Sequence, residues 1–544
     1  MNMQPLPTRR AIIPEGAPFT PEQQAWLNGF LEAVLSSSPS TGEPADVAAT
    51  SAAPTVVLAD NDSAPWHDPS LPIGERTAMA AEKPLAPRLM AAMAQQDCGQ
   101  CGYNCADYAN ALFLRKEERL TLCAPGGKDT ARMLKQLAQE IGQESGQKIG
   151  QDALAAPALA SAGEEAPAAA PAGEVGRSRD NPAEARFLSR RRLNGDGSEK
   201  TTWHVEFDLS ASGLDYVAGD SFGVFPRNAP ALADQIVATL GARPEGLVHG
   251  KRLRDILIED VCLGTPPDAL FQLFSYVCGG EPRRKARSLA SGEDPDGDAA
   301  SLDVLATLQK FASARPSAEA LVEALDPLQP RLYSISSSCR ANPKAISLTV
   351  DGVRYRVGRR ERFGAASTYL GERARVGDAI KVYVQTAHGF RLPNDPKTPV
   401  IMVGPGTGVA PFRAFLQERA ALAAPGPNWL FFGHQRRAHD FFYEDEFAAM
   451  RAGGLLTRLS LAWSRDDAQK FYVQDRMRES GADLWRWLAE GAHLYVCGDA
   501  KRMAKDVERA LVEIAARWGA RSTEEAIAFV AGLKKSGRYQ ADVY

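Results

Sequence analysis

Cysteine is scarce in this chain, eight in 544 residues. That excludes a small secreted scaffold stapled by many disulfides. No apolar run is long enough to span a bilayer. The N-terminal "MNMQPLPTRRAIIPEG" lacks the apolar core of a signal peptide. A cytoplasmic location is therefore expected. No charge sign dominates either. The net charge of −4 supplies no bulk field for nucleic acid or an anionic membrane, and neither is expected as a partner. What remains is ordinary globular composition, 44% apolar and 24% charged. The length suits about three or four domains.

Half of the few cysteines fall in one window. "DCGQCGYNCADYA" holds Cys98, Cys101 and Cys105, and Cys123 follows in "LCAPGG". In a reducing compartment, clustered cysteines point to metal or redox ligation. The spacing C-x2-C-x3-C-x17-C can supply four thiolates to a [4Fe–4S] cluster, a one-electron carrier. Gly99, Gly102 and the "PGG" at 125–127 allow the tight turns such a site needs. A structural zinc site is the alternative. The window resembles the small four-cysteine iron–sulfur domain of several bacterial redox proteins, with one residue fewer between the second and third cysteines.

The rest of the first 182 residues divides simply. Residues 1–96 read as helical segments and linker, with a helix over 17–36 that has Thr20 as N-cap and Pro21 behind it. Residues 97–150 form the cysteine domain, with a helix near 129–142. Residues 151–182 are Ala/Pro-rich, which predicts a linker without a core. Beyond them the texture changes. Residues 183–396 show antiparallel strand alternation ("TTWHVEFDL"), interrupted by a mainly helical stretch over 228–330. Residues 397–544 alternate short apolar strands with helices, which predicts a doubly wound parallel α/β sheet.

Several motifs carry chemistry. "VIMVGPGTGVAPFRAF" is a strand, a glycine-rich turn and a helix. Gly404, Gly406 and Gly408, around Thr407, suit a phosphate at a helix N-terminus, though a plain strand–helix turn reads the same way. Ser464 and Arg465 end the strand "LTRLSLAW", and Lys470, Phe471, Tyr472, Val473 and Gln474 follow. A hydroxyl and two cations suit a 2′-phosphate, hence NADPH, with a solvated charged loop as the alternative. Cys497 closes the strand "HLYVCG". In "RLYSISSS", Arg331 can pair with a phosphate, Tyr333 can pack on a flavin and Ser334 can reach its reactive edge. "FGAASTYL" offers Gly364, Ala366, Ser367 and Thr368 as a second pyrophosphate turn.

With these words in order, residues from about Asn181 onward resemble the ferredoxin–NADP reductase module of the diflavin reductases, and the flavoprotein (alpha) subunits of NADPH-dependent sulfite reductase above all. "LAWSRD", "YVQDRMRE", "GADLWRWL" and the terminal "RYQADVY" complete the likeness. The resemblance implies an antiparallel β-barrel FAD domain with a helical insert, then an NADP domain. It implies FAD contacts at Arg331, Leu332, Tyr333, Ser334, Thr349, Val350, Tyr355, Gly364, Ala365, Ala366 and Ser367. It implies NADPH contacts at Ser464, Arg465, Lys470, Tyr472, Gln474 and Asp506. Ser334, Cys497 and Asp542 match the polar group at the hydride-transfer centre, and Tyr544 matches the aromatic that covers the flavin. Asp351 departs from the pattern, because a carboxylate near FAD phosphates is unfavourable unless turned away. The relatives carry a flavodoxin-like FMN domain. No phosphate loop or βα alternation for one occurs in the first 180 residues, so FMN is expected to be absent. The implied partner is a sirohaem sulfite reductase subunit. Nitrite reductase, ferredoxin or flavodoxin are other acceptors. A redox- or iron-responsive binding protein with a vestigial flavin site is the reading from another class.

Overall fold

The computed structural model describes residues 64–67, 71–96, 101, 103–123, 125–148, 174–294, 296–297, 299–387 and 389–544. The expected helix over 17–36 lies outside these residues, as does Cys98. Among the described residues no helix is long and apolar enough to cross a membrane.

The cysteine module is helical: α1 (Ile73–Met79), α2 (Leu85–Ala91), α3 (Cys105–Phe113) and α4 (Gly127–Lys148). Asn104 starts α3 as its N-cap, its side chain accepting from the Asp107 N–H at 2.6 Å. α3 then buries Cys105, Tyr108, Ala109 and Leu112 on one face. They join Leu85, Leu89, Met93, Leu122 and Leu134 in a small apolar core of the module's own.

Six strands form the next sheet: β1 (Ala183–Arg192), β2 (Thr202–Asp208), β3 (Ser221–Val224), β4 (Arg331–Ser334), β5 (Ala345–Asp351) and β6 (Ala379–Gln385). Their order is β4-β3-β6-β1-β2-β5, antiparallel throughout. Alternation puts Ala183, Ala185 and Phe187 of β1 inside and their neighbours outside. The two edge strands meet through an Ile335–Leu348 bridge and the Ser336 N–H to Ser347 carbonyl bond at 2.8 Å, which closes the sheet into a barrel. A helical insert between β3 and β4 includes α5 (Asp268–Val277) and α6 (Gly280–Ser291) and has its own core around Leu270, Phe271 and Phe274.

The barrel's framework begins earlier than the linker reading allowed. Gly176 donates to the Asn181 carbonyl at 2.6 Å and accepts from the Val384 N–H at 2.8 Å. The polar stretch up to residue 182 looks like linker by composition, yet its backbone is a turn pinned to β6. Gly176 has φ +77°, and a Cβ there would sit 2.4 Å from Leu214.

The C-terminal sheet has five strands: β7 (Val400–Val403), β8 (Asn428–His434), β9 (Arg458–Trp463), β10 (His493–Gly498) and β11 (Tyr539–Val543). All pair in parallel, in the order β9-β8-β7-β10-β11. The chain leaves β7 toward one side and returns to β10 on the other. A topological switch point therefore lies between the carboxyl ends of β7 and β10, where open α/β sheets bind ligands.

Candidate active site

The glycine-rich turn 404–408 and Cys497 both stand at this switch point. The turn passes through a short 3-10 segment, Gly406–Val409, into α7 (Ala410–Ala421). At two of its glycines packing itself leaves no room for a side chain. A Cβ on Gly408 would lie 2.1 Å from the Cys497 carbonyl oxygen, and one on Gly404 would strike the Gly408 carbonyl and the Phe412 ring. Gly406 differs: its φ is +59° and only His434 approaches, at 3.8 Å.

Gly406 opens onto a cavity of about 550 Å³, also lined by Ser464, Phe471, Tyr472, Val473, Gln474 and Asp506. Seven of the sequence-derived nucleotide residues thus surround one space. The cavity is lined too by His434, Gln435, Lys200, Asp499, Arg502 and Met503, which sequence reasoning did not select. Arg502 and Met503 follow β10 at the start of α8 (Met503–Trp518), so their placement was readable from "CGDAKRM". Lys200 comes from the barrel, and only folding brings it here. Two expected cations stand differently. Arg465 is ion-paired to Glu199 and is not part of the lining, and Lys470 is exposed.

The barrel loop that carries Glu199 and Lys200 is tied down by a buried carboxylate, Asp440. It accepts from Ser198 Oγ at 2.6 Å, Asn194 Nδ2 at 2.8 Å and the Arg436 N–H at 3.0 Å. His434 Nδ1 lies 3.2 Å away. Burial pushes the Asp440 carboxyl up, but the bonds from Ser198 and Asn194 outweigh it and hold the group below its ordinary range. Burial lowers His434, which keeps the ring neutral. Asp440→Ala is expected to cost on the order of 3 kcal/mol by leaving buried donors unmatched. The sign of the pH effect follows from the lowered value. The contribution is complete above the ordinary 3.8 and is lost as pH falls below it. Chemical denaturation of parent and variant at neutral and acid pH checks this, and a stability gap that persists unchanged in acid counts against it.

At the other edge of the switch point, β11 brings Asp542 beside Cys497, its register partner on β10. Ser334 Oγ, at the end of β4, donates to Asp542 Oδ2 at 2.6 Å, and Cys497 Sγ lies 3.7 Å from the same oxygen. Three residues more than 40 positions apart thus meet as expected. Burial raises the Asp542 carboxyl. Burial, then the Asp542 charge, pushes the Cys497 thiol well above its ordinary value, so it stands as a neutral donor rather than a nucleophile. Tyr544 follows on. Its N–H donates to the Gly498 carbonyl at 3.0 Å, its hydroxyl lies 2.9 Å from that of Thr407, and it stays 51% exposed.

The expected flavin residues occupy three places. β4 is an edge strand, and Arg331, Leu332, Tyr333 and Ser334 are all half-buried, an accessible run flanked by the core residue Ile335. Arg331 Nη1 donates to the Gln329 carbonyl at 3.0 Å. Gly364 opens the turn through Ala365 and Ala366, and Ser367 Oγ accepts from the Val353 N–H at 3.1 Å. A Cβ on Gly364 would meet Val353 at 2.8 Å. Tyr355 projects outward, 53% exposed. The Thr349 and Val350 side chains are not available: Thr349 Oγ1 lies 2.7 Å from the Tyr443 hydroxyl and Val350 is fully buried. Asp351 is turned toward Lys200, 3.3 Å from its Nζ.

Residues 402–509 match the family of oxidoreductase NAD-binding domains, and residues 176–307 and 296–369 match FAD-binding domains. The chain belongs to the FAD- and NAD-binding oxidoreductases. The chain is 43% identical over 367 residues to the sulfite reductase [NADPH] flavoprotein alpha-component of Photorhabdus laumondii, covering 67% of the chain and 61% of that relative. Over 371 residues it is 43% identical to the component of the same name from an Escherichia coli O1:K1 strain, covering 68% and 61%. The chain thus spans about three-fifths of the length of the relatives it matches.

Three of the four clustered cysteines lie among the described residues of the helical module. Cys101, Cys105 and Cys123 are buried and belong to one apolar core. Burial raises the Cys123 thiol, opposed by backbone hydrogen bonds from Ala94 and Gly126 and by the Arg76 charge. Among the described residues no three metal-ligating side chains converge closely enough to hold an ion.

Proposed function

We propose that the chain is an NADPH-dependent flavoprotein reductase that delivers electrons to a one-electron acceptor protein, the sirohaem subunit of sulfite reductase. The observation that carries this reading is the Ser334–Asp542–Cys497 group at the switch point of an NAD-binding sheet, beside the accessible strand of an FAD barrel. FAD would lie along Arg331–Ser334 and the Gly364–Ser367 turn, and it supplies the change from two-electron to one-electron chemistry. NADPH would occupy the 550 Å³ cavity and reach the same group with its nicotinamide. Cys98, Cys101, Cys105 and Cys123 would hold a [4Fe–4S] cluster, which supplies one-electron transfer where the relatives' FMN is expected to be missing. Support for the cluster is the cysteine spacing, the shared burial of three sulfur atoms and the N–H groups turned to Cys123.

Cofactor analysis of anaerobically purified protein tests this. FAD with almost no FMN, and about four irons per chain, is expected. Stoichiometric FMN, or zinc in place of iron, would falsify the cofactor assignment. Reduction of the sirohaem subunit, nitrite reductase, ferredoxin and flavodoxin in parallel identifies the acceptor.

Nucleotide choice gives a further expectation. Arg502 lines the cavity, and no ion pair holds its guanidinium among the described residues. Arg502→Ala should weaken NADPH binding by about 1.5–3 kcal/mol, the scale of one charge-assisted contact. Arg465→Ala should cost less, because that guanidinium must first leave Glu199. Equilibrium titration of each variant with NADPH and NADH decides the matter. Parental NADPH affinity in the Arg502 variant rejects the assignment.

A further inference from the structure

The cysteine module rests on the helical insert of the FAD domain, and the contact is ionic. Arg132 of α4 donates two hydrogen bonds to Asp268, Nε at 2.8 Å and Nη2 at 2.9 Å. Lys128, one turn earlier, lies 3.9 Å from the same carboxylate and 4.9 Å above the Phe271 ring. The far side of the Arg132 guanidinium packs on Gly292, where a Cβ would sit 2.9 Å from Nη1. Gly292 closes α6 with φ +91°, so backbone geometry calls for glycine, and its missing Cβ leaves room for the docked arginine. Asp326 adds a second insert carboxylate within electrostatic reach of Lys128 and Lys135. A separate pair, Arg119–Asp180 at 3.1 Å, ties the module to the segment that leads into the barrel. In each of these contacts the module brings the cation and the reductase the anion.

The apolar cores do not follow. The module's core runs from Leu85 to Leu137 and the insert's from Ala233 to Leu325, and among the described residues neither takes a member from the other. Two bodies joined by ion pairs, without a shared core, are free to separate. Salt weakens the longer-range attraction that brings two such bodies together, since the reach of charge falls from about 10 Å at 0.1 M to about 3 Å at 1 M. We propose that Asp268, Phe271 and Gly292 form a reversible, charge-steered docking surface for the cysteine module, occupied through Lys128 and Arg132. Undocking exposes a cationic face on α4 that suits an acidic surface of an electron acceptor.

The test uses the full chain and needs neither cofactor nor acceptor, so its failure is distinct from failure of the reductase reading. Zero-length carbodiimide coupling should join Lys128 to Asp268 at about 0.05 M salt and lose that product near 1 M. Arg132→Glu should reduce the product at low salt and enlarge the radius of gyration measured by X-ray scattering. Arg132→Glu with Asp268→Arg should restore the parental radius, which separates a charge effect from misfolding. Absence of the cross-link in the parent at low salt overturns the docking. A cross-link and radius indifferent to salt and to Arg132→Glu overturn its reversibility.

Discussion

Asp542→Asn should lower NADPH-driven ferricyanide reduction by about 100-fold or more while leaving the fold as stable as before. The two halves of that expectation have separate causes. Asp542 would face the nicotinamide of a bound NADPH, and loss of hydride would leave positive charge on that ring. A carboxylate held where water is scarce stabilises that charge, and fixed groups of this kind contribute about 10²–10⁴-fold. Asp542 is held by Ser334 at 2.6 Å and by its place on β11 beside Cys497. Asn keeps an oxygen for the Ser334 hydroxyl but removes the charge. Stability is spared because burial already raises this carboxyl. A group with a raised value is a cost to the folded state at neutral pH, the reverse of Asp440, and neutralising it relieves that cost. The same reasoning separates Cys497→Ala, which removes a neutral donor 3.7 Å away and should cost less than the loss of charge. Steady-state rates and melting temperatures measured together are decisive. A rate within about twofold of the parent makes Asp542 a packing residue.

The residues of this centre were legible in the sequence because short, contiguous words carry them. "RLYSISSS", "YVCGD" and "QADVY" each contribute one member, and parallel pairing of β10 with β11 fixes Cys497 opposite Asp542. What was not legible depends on distant loops. Lys200 and Glu199 belong to the β1–β2 connection of the barrel, and nothing local marks them as neighbours of the cavity at the switch point. Asp440 likewise looks like an ordinary surface acid in "RRAHDFFYED" until Asn194 and Ser198 arrive from the barrel. The glycine turn was readable as a place without side chains, but not its packing. Gly404 and Gly408 answer to Phe412 and to the Cys497 carbonyl, and Gly406 alone faces the cavity. A sequence shows where side chains are missing but not which neighbour needs the room.

Cys101→Ala carries the other large expectation, and it divides the electron path in two. On the proposed cluster reading the variant should lose iron and its ability to reduce an acceptor protein, because a four-thiolate site would not survive the loss of one ligand. Ferricyanide reduction should continue at nearly the parental rate. Two features make that split physically reasonable. Among the described residues, Cys101 lies in a core that shares no member with the barrel, the insert or the C-terminal sheet, so its loss need not disturb Ser334, Cys497 or Asp542. Among the described residues, ion pairs join the module to the rest of the chain through Lys128, Arg132 and Arg119. Collapse of the module is the competing cause of lost transfer, since Cys101 is 8% exposed beside Tyr108 and Leu122. Cys101→Ser tells the two apart, because it keeps the volume of the side chain while giving up the thiolate. If both variants lose iron and acceptor reduction but hold ferricyanide activity, the cysteines lie between NADPH and the acceptor. If either still reduces the acceptor at the parental rate, they lie off that path, and "DCGQCGYNCADYA" serves structure or regulation instead.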